Sequence, residues 1–419
     1  MHRDRRRSRI AVGAALAALV LAGTAAATAG AASPGPEAPL GAVRGADAPD
    51  AVDGEYIVVL KESGSAARTL RAPAGVREKA EELTGSLGGE TRRTYSAALK
   101  GFSVEATEKQ ARRLAAHPDV AYVEANRTER GDDLPAGLGA RDVQVAPAWG
   151  LDRIDQRDLP LDAAYAYGTE ASNVTAYIVD SGINIAHEDF EGRASYGYNF
   201  VDGTRTASDC HGHGTHVAGT VGSATHGVAK GVELVAVKVL DCENSGTTEG
   251  VLAGYDWVAR NAVRPAVANV SIGGSAGDAK DAAVRKMVQA GITVSVSAGN
   301  KAAPACDQSP AREPSVITVA ATTREDARAS WSNHGSCVDL FAPGASVLSL
   351  GIGSTTATKT MSGTSMAAPH VTGAAALYLS EHPAATPAAV TKALLDAASA
   401  GRVAGPGTGS PNRLLYSRF

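Results

Sequence analysis

The sequence lacks a large excess of charge of either sign. Its 40 lysine and arginine residues nearly balance 44 aspartate and glutamate residues, and the formal net charge is -4. This balance gives no general electrostatic reason to expect nucleic acid or an anionic membrane surface as a partner. With 419 residues, 44% of them hydrophobic, the chain is long enough to form two or three domains with a large core.

Long apolar runs are missing outside the N-terminus. There, the basic segment MHRDRRRSR precedes the apolar run IAVGAALAALVLAG, and alanine-rich sequence with small-residue cleavage sites follows. A membrane anchor is the alternative, but the run is shorter than the roughly 20 residues that a span requires. We therefore expect residues 1–32 to be a signal peptide, residues 33–54 to be a linker rich in Pro, Gly and Ala, and the mature protein to be secreted and extracellular.

Cysteine is scarce, and the motif of one large class of metalloprotease is absent. The four cysteines are expected to form disulfides because an exported chain meets an oxidising compartment, but four cysteines allow three pairings and the sequence does not choose among them. No HExxH motif occurs. The stretch CHGHGTHVAGT nevertheless holds His211, His213 and His216, so either a zinc site or part of a catalytic site completed elsewhere is possible from this stretch alone.

Apolar patterns over residues 55–126 predict a small ferredoxin-like α+β domain. Thr107 and Gln110 have the spacing of a capping box, which marks the start of its second helix. The predicted strands are residues 56–60, 92–99, 100–106 and 120–126, and the predicted helices are residues 76–87 and 107–117. Residues 127–141 are polar and rich in glycine, and they are predicted to be a linker accessible to proteases.

Residues 142–419 are predicted to form a larger α/β domain with a mostly parallel central sheet flanked by helices. Its strands are continuous apolar runs, typical of strands buried on both faces, and helical patterns separate several of them. The clearest strands are residues 173–179, 233–240, 266–272 and 292–297, and the clearest helices are residues 248–263 and 278–290. Catalytic groups on such sheets gather beyond the carboxyl ends of the strands.

Three residues at predicted strand ends or helix starts supply the parts of a nucleophilic catalytic site. Asp180 ends a strand, His213 opens a helix, and Ser365 lies where a glycine-rich turn enters a helix. A serine hydroxyl needs a base to take its proton, and the base needs a carboxylate to hold its tautomer. The chain order Asp, His, Ser differs from the Ser, acid, His order of α/β-hydrolases, which disfavours an esterase.

Four motifs carry a family resemblance: YIVDSGI, HGHGTHVAGT, VSAGN and SGTSMAAPHVTG. They resemble the signatures of the subtilases, and the sequence from about residue 142 onward resembles the proteinase K branch, nearest to the aqualysin-type secreted proteases. The resemblance implies a subtilisin-like serine endopeptidase of broad specificity with apolar or aromatic preference before the cut. It also implies that residues 55–126 are an inhibitory pro-domain. Because the last predicted strand of this domain leads into the polar linker, we expect its tail to lie along the substrate groove and to present a bond near residues 139–142 for autocatalytic cleavage.

The resemblance also assigns roles to individual residues. Asn300 would donate to the oxyanion together with the backbone N–H of Ser365. With His213 as the base, the resemblance leaves no catalytic metal, so the zinc interpretation is disfavoured. The implied disulfides are Cys210–Cys242 and Cys306–Cys337. The substrate-binding residues would be Ser245, Gly246, Ser271, Ile272, Gly273, Ser297, Ala298 and Gly299.

Structural calcium is the cofactor that the resemblance implies. One site would use Pro314, Val316 and Asp339, and a second would use Asp152, Asp155, Gln156 and Asp162. All of these groups offer oxygen, which a hard cation prefers, and surface carboxylates with no ion are the alternative. The expected partners are protein and peptide substrates and the chain's own pro-domain, and the mature enzyme is expected to be a monomer.

Two positions depart from the family pattern. Gln308 stands where relatives often have tyrosine near the specificity pocket, and Thr248 stands where it would open a neighbouring subsite. Two other functions use the same sequence features. One is a catalytically silent binding protein on this fold, which the intact Asp180, His213, Ser365 and Asn300 set disfavours, and the other is an esterase.

Overall fold

The computed structural model describes residues 40–63, 69–70, 74–131 and 147–419. The predicted signal peptide and the predicted cleavage region near residues 139–142 lie outside the described residues. None of the helices in the described ranges combines the length and the apolar character needed to cross a bilayer.

Residues 40–131, called the N-terminal domain below, form an antiparallel sheet with two helices. The strands are β1 (Val43–Arg44), β2 (Ala51–Leu60), β3 (Glu90–Tyr95), β4 (Gly101–Glu105) and β5 (Val120–Gly131). Their order in the sheet is β5-β2-β4-β3, and β1 runs parallel to β5. The helices are α1 (Gly75–Leu87) and α2 (Glu108–Ala115). This order is that of a ferredoxin-like domain, as the sequence predicts.

Local sequence explains how this domain packs. Thr107 and Gln110 form the predicted capping box: the Thr107 hydroxyl accepts a bond from the Gln110 N–H, and the Gln110 side chain accepts one from the Thr107 N–H at 2.8 Å. Alternate residues of the central strands meet the helices in a core that includes Val58, Leu83 and Phe102, all with 0% exposure.

Two strands of the N-terminal domain extend beyond the predicted boundaries. Residues 40–54, predicted as linker, contain β1 and the start of β2. At the other end, β5 continues to Gly131, although the predicted strand stops at residue 126. The extension has a physical reason, since residues 128–131 pair with two strands of the following domain, β9 (Ser245–Thr247) and β11 (Ile272–Ser275).

Residues 147–419, called the C-terminal domain below, are built on a nine-stranded sheet. The strands are β6 (Thr175–Asp180), β7 (Ala194–Asn199), β8 (Glu233–Lys238), β10 (Ala266–Val270), β12 (Thr293–Ser297), β14 (Ile317–Thr322), β15 (Leu340–Pro343), β18 (Ser399–Ala400) and β19 (Arg413–Leu414). Their order in the sheet is β18-β19-β15-β14-β12-β10-β6-β8-β7, and every neighbouring pair is parallel except β18 with β19. The predicted mostly parallel sheet is confirmed.

Helices cover this sheet, and short strands lie outside it. The helices are α3 (Trp149–Ile154), α4 (His213–Gly222), α5 (Thr248–Asn261), α6 (Asp278–Gln289), α7 (Thr364–Glu381) and α8 (Pro387–Ala397). The remaining strands are β13 (Gln308–Ser309), which pairs with β11, and the hairpin of β16 (Val347–Leu350) with β17 (Thr358–Met361).

The sheet is buried on both faces, which explains why its strands are continuous apolar runs. In β6, Ala176 and Ile178 belong to the core that includes residues of α4 and α7, whereas Tyr177 and Val179 belong to the core that includes residues of α5 and α6. Successive residues therefore face opposite helix layers. Two disulfides, Cys210–Cys242 and Cys306–Cys337, complete the domain, with the pairing that the resemblance implies.

Candidate active site

A buried carboxylate–imidazole pair lies at the carboxyl end of β6. Asp180 is the last residue of that strand, and its Oδ1 lies 2.7 Å from Nδ1 of His213, the first residue of α4. Both side chains have 0% exposure. The same carboxylate oxygen accepts a bond from the Ser181 N–H at 2.7 Å. The contact through Nδ1 fixes the imidazole orientation that a general base requires.

Asp209 holds the segment that carries His213, although none of the sequence motifs points to it. Its Oδ1 accepts bonds from the Ser181 hydroxyl (2.9 Å) and from two backbone N–H groups, those of His211 (3.0 Å) and Gly212 (2.8 Å). Its Oδ2 accepts from the N–H (2.8 Å) and the hydroxyl (2.6 Å) of Thr215. An acidic residue shortly before a helix start is the signal that could have identified it.

Ser365 is the second residue of α7, which packs against α4, so the helices that carry Ser365 and His213 are neighbours. The Ser365 hydroxyl donates to the carbonyl oxygen of Ser271 at 3.2 Å, and the Ser271 hydroxyl donates to the carbonyl oxygen of Ser365 at 2.9 Å. Asn269 donates to the Ser271 hydroxyl at 2.8 Å. These bonds connect the serine to the turn between β10 and β11.

Asn300 lies beyond the carboxyl end of β12, next to the start of α7. Its side-chain oxygen accepts bonds from the N–H (2.9 Å) and the hydroxyl (3.0 Å) of Thr364, and the Thr364 hydroxyl also accepts from the Gly299 N–H at 3.0 Å. Because the amide oxygen of Asn300 faces Thr364, the amide nitrogen lies on the opposite side of the group. This orientation suits a donor to an oxyanion formed next to Ser365.

An extended segment of the N-terminal domain occupies the cleft beside these residues. The end of β5 runs antiparallel to β9 on one side and to β11 on the other. Arg130 pairs with both Ser245 and Gly273, and its neighbours pair with Gly246 and Ile272. Four of the eight predicted substrate-binding residues therefore already pair with a peptide strand: Ser245, Gly246, Ile272 and Gly273.

The remaining predicted substrate-binding residues surround the same region. Ser271 contacts Ser365 as described, and Ser297 is 1% exposed at the end of β12. The carbonyl oxygen of Ala298 accepts a bond from the Asn333 side chain at 2.8 Å. At Gly299 a Cβ would lie 2.2 Å from the side-chain oxygen of Gln308, so Gln308 reaches the predicted pocket segment.

Acidic and amide side chains form hydrogen bonds and an ion pair between the N-terminal domain and helices α5 and α6. Asp256 of α5 accepts three bonds at one oxygen, from the N–H groups of residues 96–98, at 3.1, 2.6 and 2.8 Å. Glu249 forms an ion pair with Arg93 at 2.7 Å. From the other side, Asn126 accepts from the Glu249 N–H at 2.9 Å, and Glu124 accepts from the Ala279 N–H at 3.2 Å.

The three histidines that opened the zinc alternative have different surroundings. His213 contacts Asp180, whereas Nε2 of His216 lies 3.0 Å from the carbonyl oxygen of Val347. Burial lowers the pKa of His216 to about 3. Across the described ranges, no group of three or more His, Cys, Asp or Glu side chains is arranged to hold a metal ion.

The first predicted calcium set lies near the starts of β14 and β15. Pro314 and Val316 precede β14, and Asp339 precedes β15. The Asp339 carboxylate accepts a bond from the Thr318 N–H at 2.8 Å, and burial raises its pKa to about 6. A bound cation would offset this cost of burying the charge.

The second predicted calcium set lies in the loop after α3. Asp152 accepts bonds from the N–H groups of Asp162 (3.2 Å) and Ala163 (3.0 Å), and the Gln156 side-chain oxygen also accepts from the Asp162 N–H at 3.1 Å. Burial, and then the Asp162 carboxylate, raises the pKa of both Asp152 and Asp155. Oδ1 of Asp155 is buried with no hydrogen-bond partner among the described residues.

Comparisons with known proteins identify families that match both domains. The Subtilase family matches residues 171–414, and the Peptidase inhibitor I9 family matches residues 55–130. An extracellular serine proteinase of Thermus sp. (strain Rt41A) is 49% identical over 394 residues, which are 91% of this chain and 93% of that protein. Alkaline serine exoprotease A of Vibrio alginolyticus is 44% identical over 373 residues, which are 88% of this chain and 69% of that protein.

A solved structure is also similar. The crystal structure of a cold adapted subtilisin-like serine proteinase is 52% identical in sequence, with a TM-score of 0.64, and the match covers 66% of this chain and 100% of that chain. The sequence matches, the nearly parallel sheet and the Asp180–His213 pair, whose helix α4 packs against the helix of Ser365, lead to one assignment: this chain belongs to the subtilase family.

Proposed function

We propose that this chain is the precursor of a secreted serine endopeptidase in which Ser365 is the nucleophile, His213 the general base and Asp180 its orienting carboxylate. The observation that carries the proposal is the 2.7 Å contact of His213 with Asp180 beside a cleft that holds a peptide strand paired on both sides. A site with these parts cleaves peptide bonds in extended chains.

The chemical steps follow from these positions. Ser365 Oγ attacks the substrate carbonyl carbon while His213 Nε2 takes the hydroxyl proton. The negative carbonyl oxygen accepts bonds from the Asn300 amide and the Ser365 N–H. The C–N bond then breaks as His213 returns the proton to the leaving amine. Water releases the acyl group from Ser365 by the same sequence of proton transfers.

Substrate selection and activation are the next parts of the proposal. Main-chain pairing with β9 and β11 gives affinity for many sequences, so specificity is broad, with apolar or aromatic preference before the cut. The N-terminal domain inhibits the enzyme because its last strand fills the same cleft. For autocatalytic cleavage near residues 139–142, that segment takes the place of residues 128–131 in the cleft during the cut, and the cut separates the two domains. The mature enzyme is a secreted monomer that requires no nucleic acid.

Bound calcium is proposed as a structural cofactor. The donor sets offer only oxygen: Pro314, Val316 and Asp339 in one, and Asp152, Asp155, Gln156 and Asp162 in the other. Asp152, Asp155 and Asp162 do not form a ready-made metal-binding group in the described structure. The fit is supported by Oδ1 of Asp155, which is buried without a hydrogen-bond partner among the described residues, and by the burial of Asp339 in the first set. Calcium at these loops would hold them in the native arrangement, and it would take no part in the chemical steps.

A serine-directed probe tests this proposal. A labelled fluorophosphonate should modify mature wild-type protein at Ser365, and casein should be cleaved. The Ser365→Ala and His213→Ala precursors, expressed in a host free of other proteases, should remain uncut because the first lacks the nucleophile and the second lacks its base. Maturation of purified Ser365→Ala precursor at the wild-type rate would contradict the proposal. Cleavage of small esters but not of casein would indicate an esterase, and failure to label Ser365 a silent binding protein.

A further inference from the structure

The bound strand of the N-terminal domain places an acidic side chain in a pocket that contains a lysine. Glu129 and Lys280 form an ion pair at 2.6 Å, with side-chain exposures of 1% and 2%. The Thr248 hydroxyl donates to the same carboxylate oxygen, Oε1, also at 2.6 Å. The other carboxylate oxygen, Oε2, lies so close to Gly274 that a Cβ there would be 2.2 Å away. The pocket thus surrounds a carboxylate with donors and a glycine.

Neighbouring side chains do not share this arrangement. Arg130, the next residue of β5, is exposed, as expected for the opposite face of an extended strand. On α6, Asp278 and Asp281 both accept bonds from Arg312, at 2.7 and 2.6 Å. The acidic residues adjacent to Lys280 in sequence are therefore paired with another cation, whereas the Lys280 ammonium faces the pocket.

Two carboxylates that interact with Lys280, those of Glu129 and Glu124, belong to the N-terminal domain. Glu129 is the ion-pair partner, and Glu124 lies close enough that Lys280 lowers its pKa, although burial is the largest effect and the net direction is upward. When the N-terminal domain leaves, both carboxylates leave with it. The pocket of the mature enzyme then keeps the Lys280 ammonium and the Thr248 hydroxyl as donors for whatever side chain enters next.

The strand register relates this pocket to the scissile bond. Gly131 pairs with Ile272 and Arg130 with Gly273. A substrate in the same register has its next residue opposite Ser271, whose carbonyl oxygen accepts from the Ser365 hydroxyl at 3.2 Å. The substrate side chain at the Glu129 position therefore belongs to the third residue before the one that lies beside the nucleophile.

We infer that Lys280 and Thr248 form a specificity pocket that selects an acidic side chain of the substrate, at the third residue before the residue next to the cut. This inference rests on the proposed endopeptidase function and adds a second selection to the apolar preference at the cut itself. A buried ammonium favours a partner that supplies a negative charge, and it disfavours a lysine there through repulsion.

A peptide series with one varied position tests the inference. The substrates are internally quenched peptides containing Thr-Xaa-Arg-Gly-Phe, where Xaa is Glu, Gln, Leu or Lys, and mass spectrometry verifies cleavage after Phe. Mature enzyme is obtained by self-processing of the full chain. For the wild-type enzyme, kcat/KM for the Glu peptide should exceed that for the Gln and Leu peptides by about tenfold or more, and the Lys peptide should be the poorest substrate.

Variants on α6 separate charge recognition from general damage. Lys280→Met should bring the Glu and Gln peptides to within about threefold of each other, Lys280→Arg should keep the Glu preference, and Lys280→Glu should favour the Lys peptide. Lys286→Met, on the same helix and at a side chain with 41% exposure, is the matched control and should keep the wild-type ratios.

The outcomes distinguish this inference from the proposed function. If the wild-type enzyme cleaves the Glu, Gln and Leu peptides with equal kcat/KM, or prefers Leu, the acidic specificity is wrong while the endopeptidase function stands. If no peptide is cleaved and Ser365 resists labelling, the proposed function itself fails. The wild-type ratios decide the matter even if a Lys280 variant does not fold.

Discussion

Removal of the Asp256 carboxylate should release the N-terminal domain from the mature enzyme. One oxygen of this side chain, which is 2% exposed, accepts the N–H groups of residues 96–98 at 2.6–3.1 Å. A hydrogen bond to a charged group contributes roughly 1.5–3 kcal/mol, and bonds that share one acceptor are not additive. We therefore expect Asp256→Ala to weaken the complex by about 3–5 kcal/mol, or roughly two to four orders of magnitude in the dissociation constant.

The assay follows the gain of activity after self-cleavage. The processed but still associated complex is purified, diluted into a fluorogenic peptide substrate, and the rate at which hydrolysis accelerates is measured. This rate should rise strongly in Asp256→Ala and less in Asp256→Asn, which keeps a neutral oxygen acceptor. The final kcat/KM should equal that of the wild type because Asp256 belongs to the surface that holds the N-terminal domain, not to the catalytic residues.

Arg260 provides the matched control. Its guanidinium lies 2.8 Å from Oδ2 of Asp256, the carboxylate oxygen that does not bind residues 96–98, and its side chain is 50% exposed. An ion pair that is half exposed contributes at most about 1 kcal/mol, so Arg260→Ala should change the release rate by less than about tenfold. A release rate for Asp256→Ala within twofold of the wild-type value would refute the reasoning.

Three further predictions concern the catalytic helix, acid stability and calcium. Asp209→Asn should lower kcat by roughly 10- to 100-fold with little change in KM, because the amide replaces one of the two acceptor oxygens that orient the His213 segment, and steady-state kinetics on a peptide would show a change in KM alone if this were wrong. Burial lowers the pKa of His370 to about 4 from an ordinary value near 6.5, so the unfolded chain binds more protons between these values and stability is lost as pH falls below 6.5. From pH 7 to 5 this histidine should remove about 2 kcal/mol from the free energy of unfolding. In Ser365→Ala precursor, urea unfolding should show a shallower loss for His370→Gln, whereas the exposed His382→Gln should match its parent and equal slopes for all three would contradict the assignment. A chelator should lower the Tm of the mature enzyme without an immediate loss of activity, and calcium should restore it, whereas instant inactivation at unchanged Tm would point to a catalytic metal.

The sequence predicts the elements whose signals are local. Continuous apolar runs locate β6, β8, β10 and β12, because strands buried on both faces have no polar alternation. The predicted ends of these strands are less accurate than their positions. The run at residues 266–272 ends as a strand at Val270, since Ser271 turns the chain into β11 and bonds to Ser365. Asp180 is a candidate from the sequence because a strand run ends there, and Ser365 is one because a glycine-rich turn enters a helix there.

The contacts between the two domains could not be predicted from local sequence. Residues 127–131 read RTERG, with no apolar alternation. Arg127 still pairs with Ala51 of β2, and residues 128–131 extend the strand because β9 and β11 offer partners on both sides. Glu129 and Lys280 are 151 residues apart in the chain. The role of Asp209 could not be predicted from local sequence either, because its carboxylate accepts bonds from five donors that come together only in the folded loop.

Side chains of the N-terminal domain also cap the N-termini of two helices in the domain that it inhibits. The first N–H groups of a helix have no acceptor within the helix. Helix α6 has Gly277 at its N-cap and no side-chain cap, and Glu124 supplies an acceptor for the Ala279 N–H. Asn126 does the same for the Glu249 N–H of α5. The inhibitory contacts therefore also stabilise helix starts. Substitutions that weaken inhibition here should also reduce the stability of the precursor, and removal of the N-terminal domain takes both acceptors away from these N–H groups.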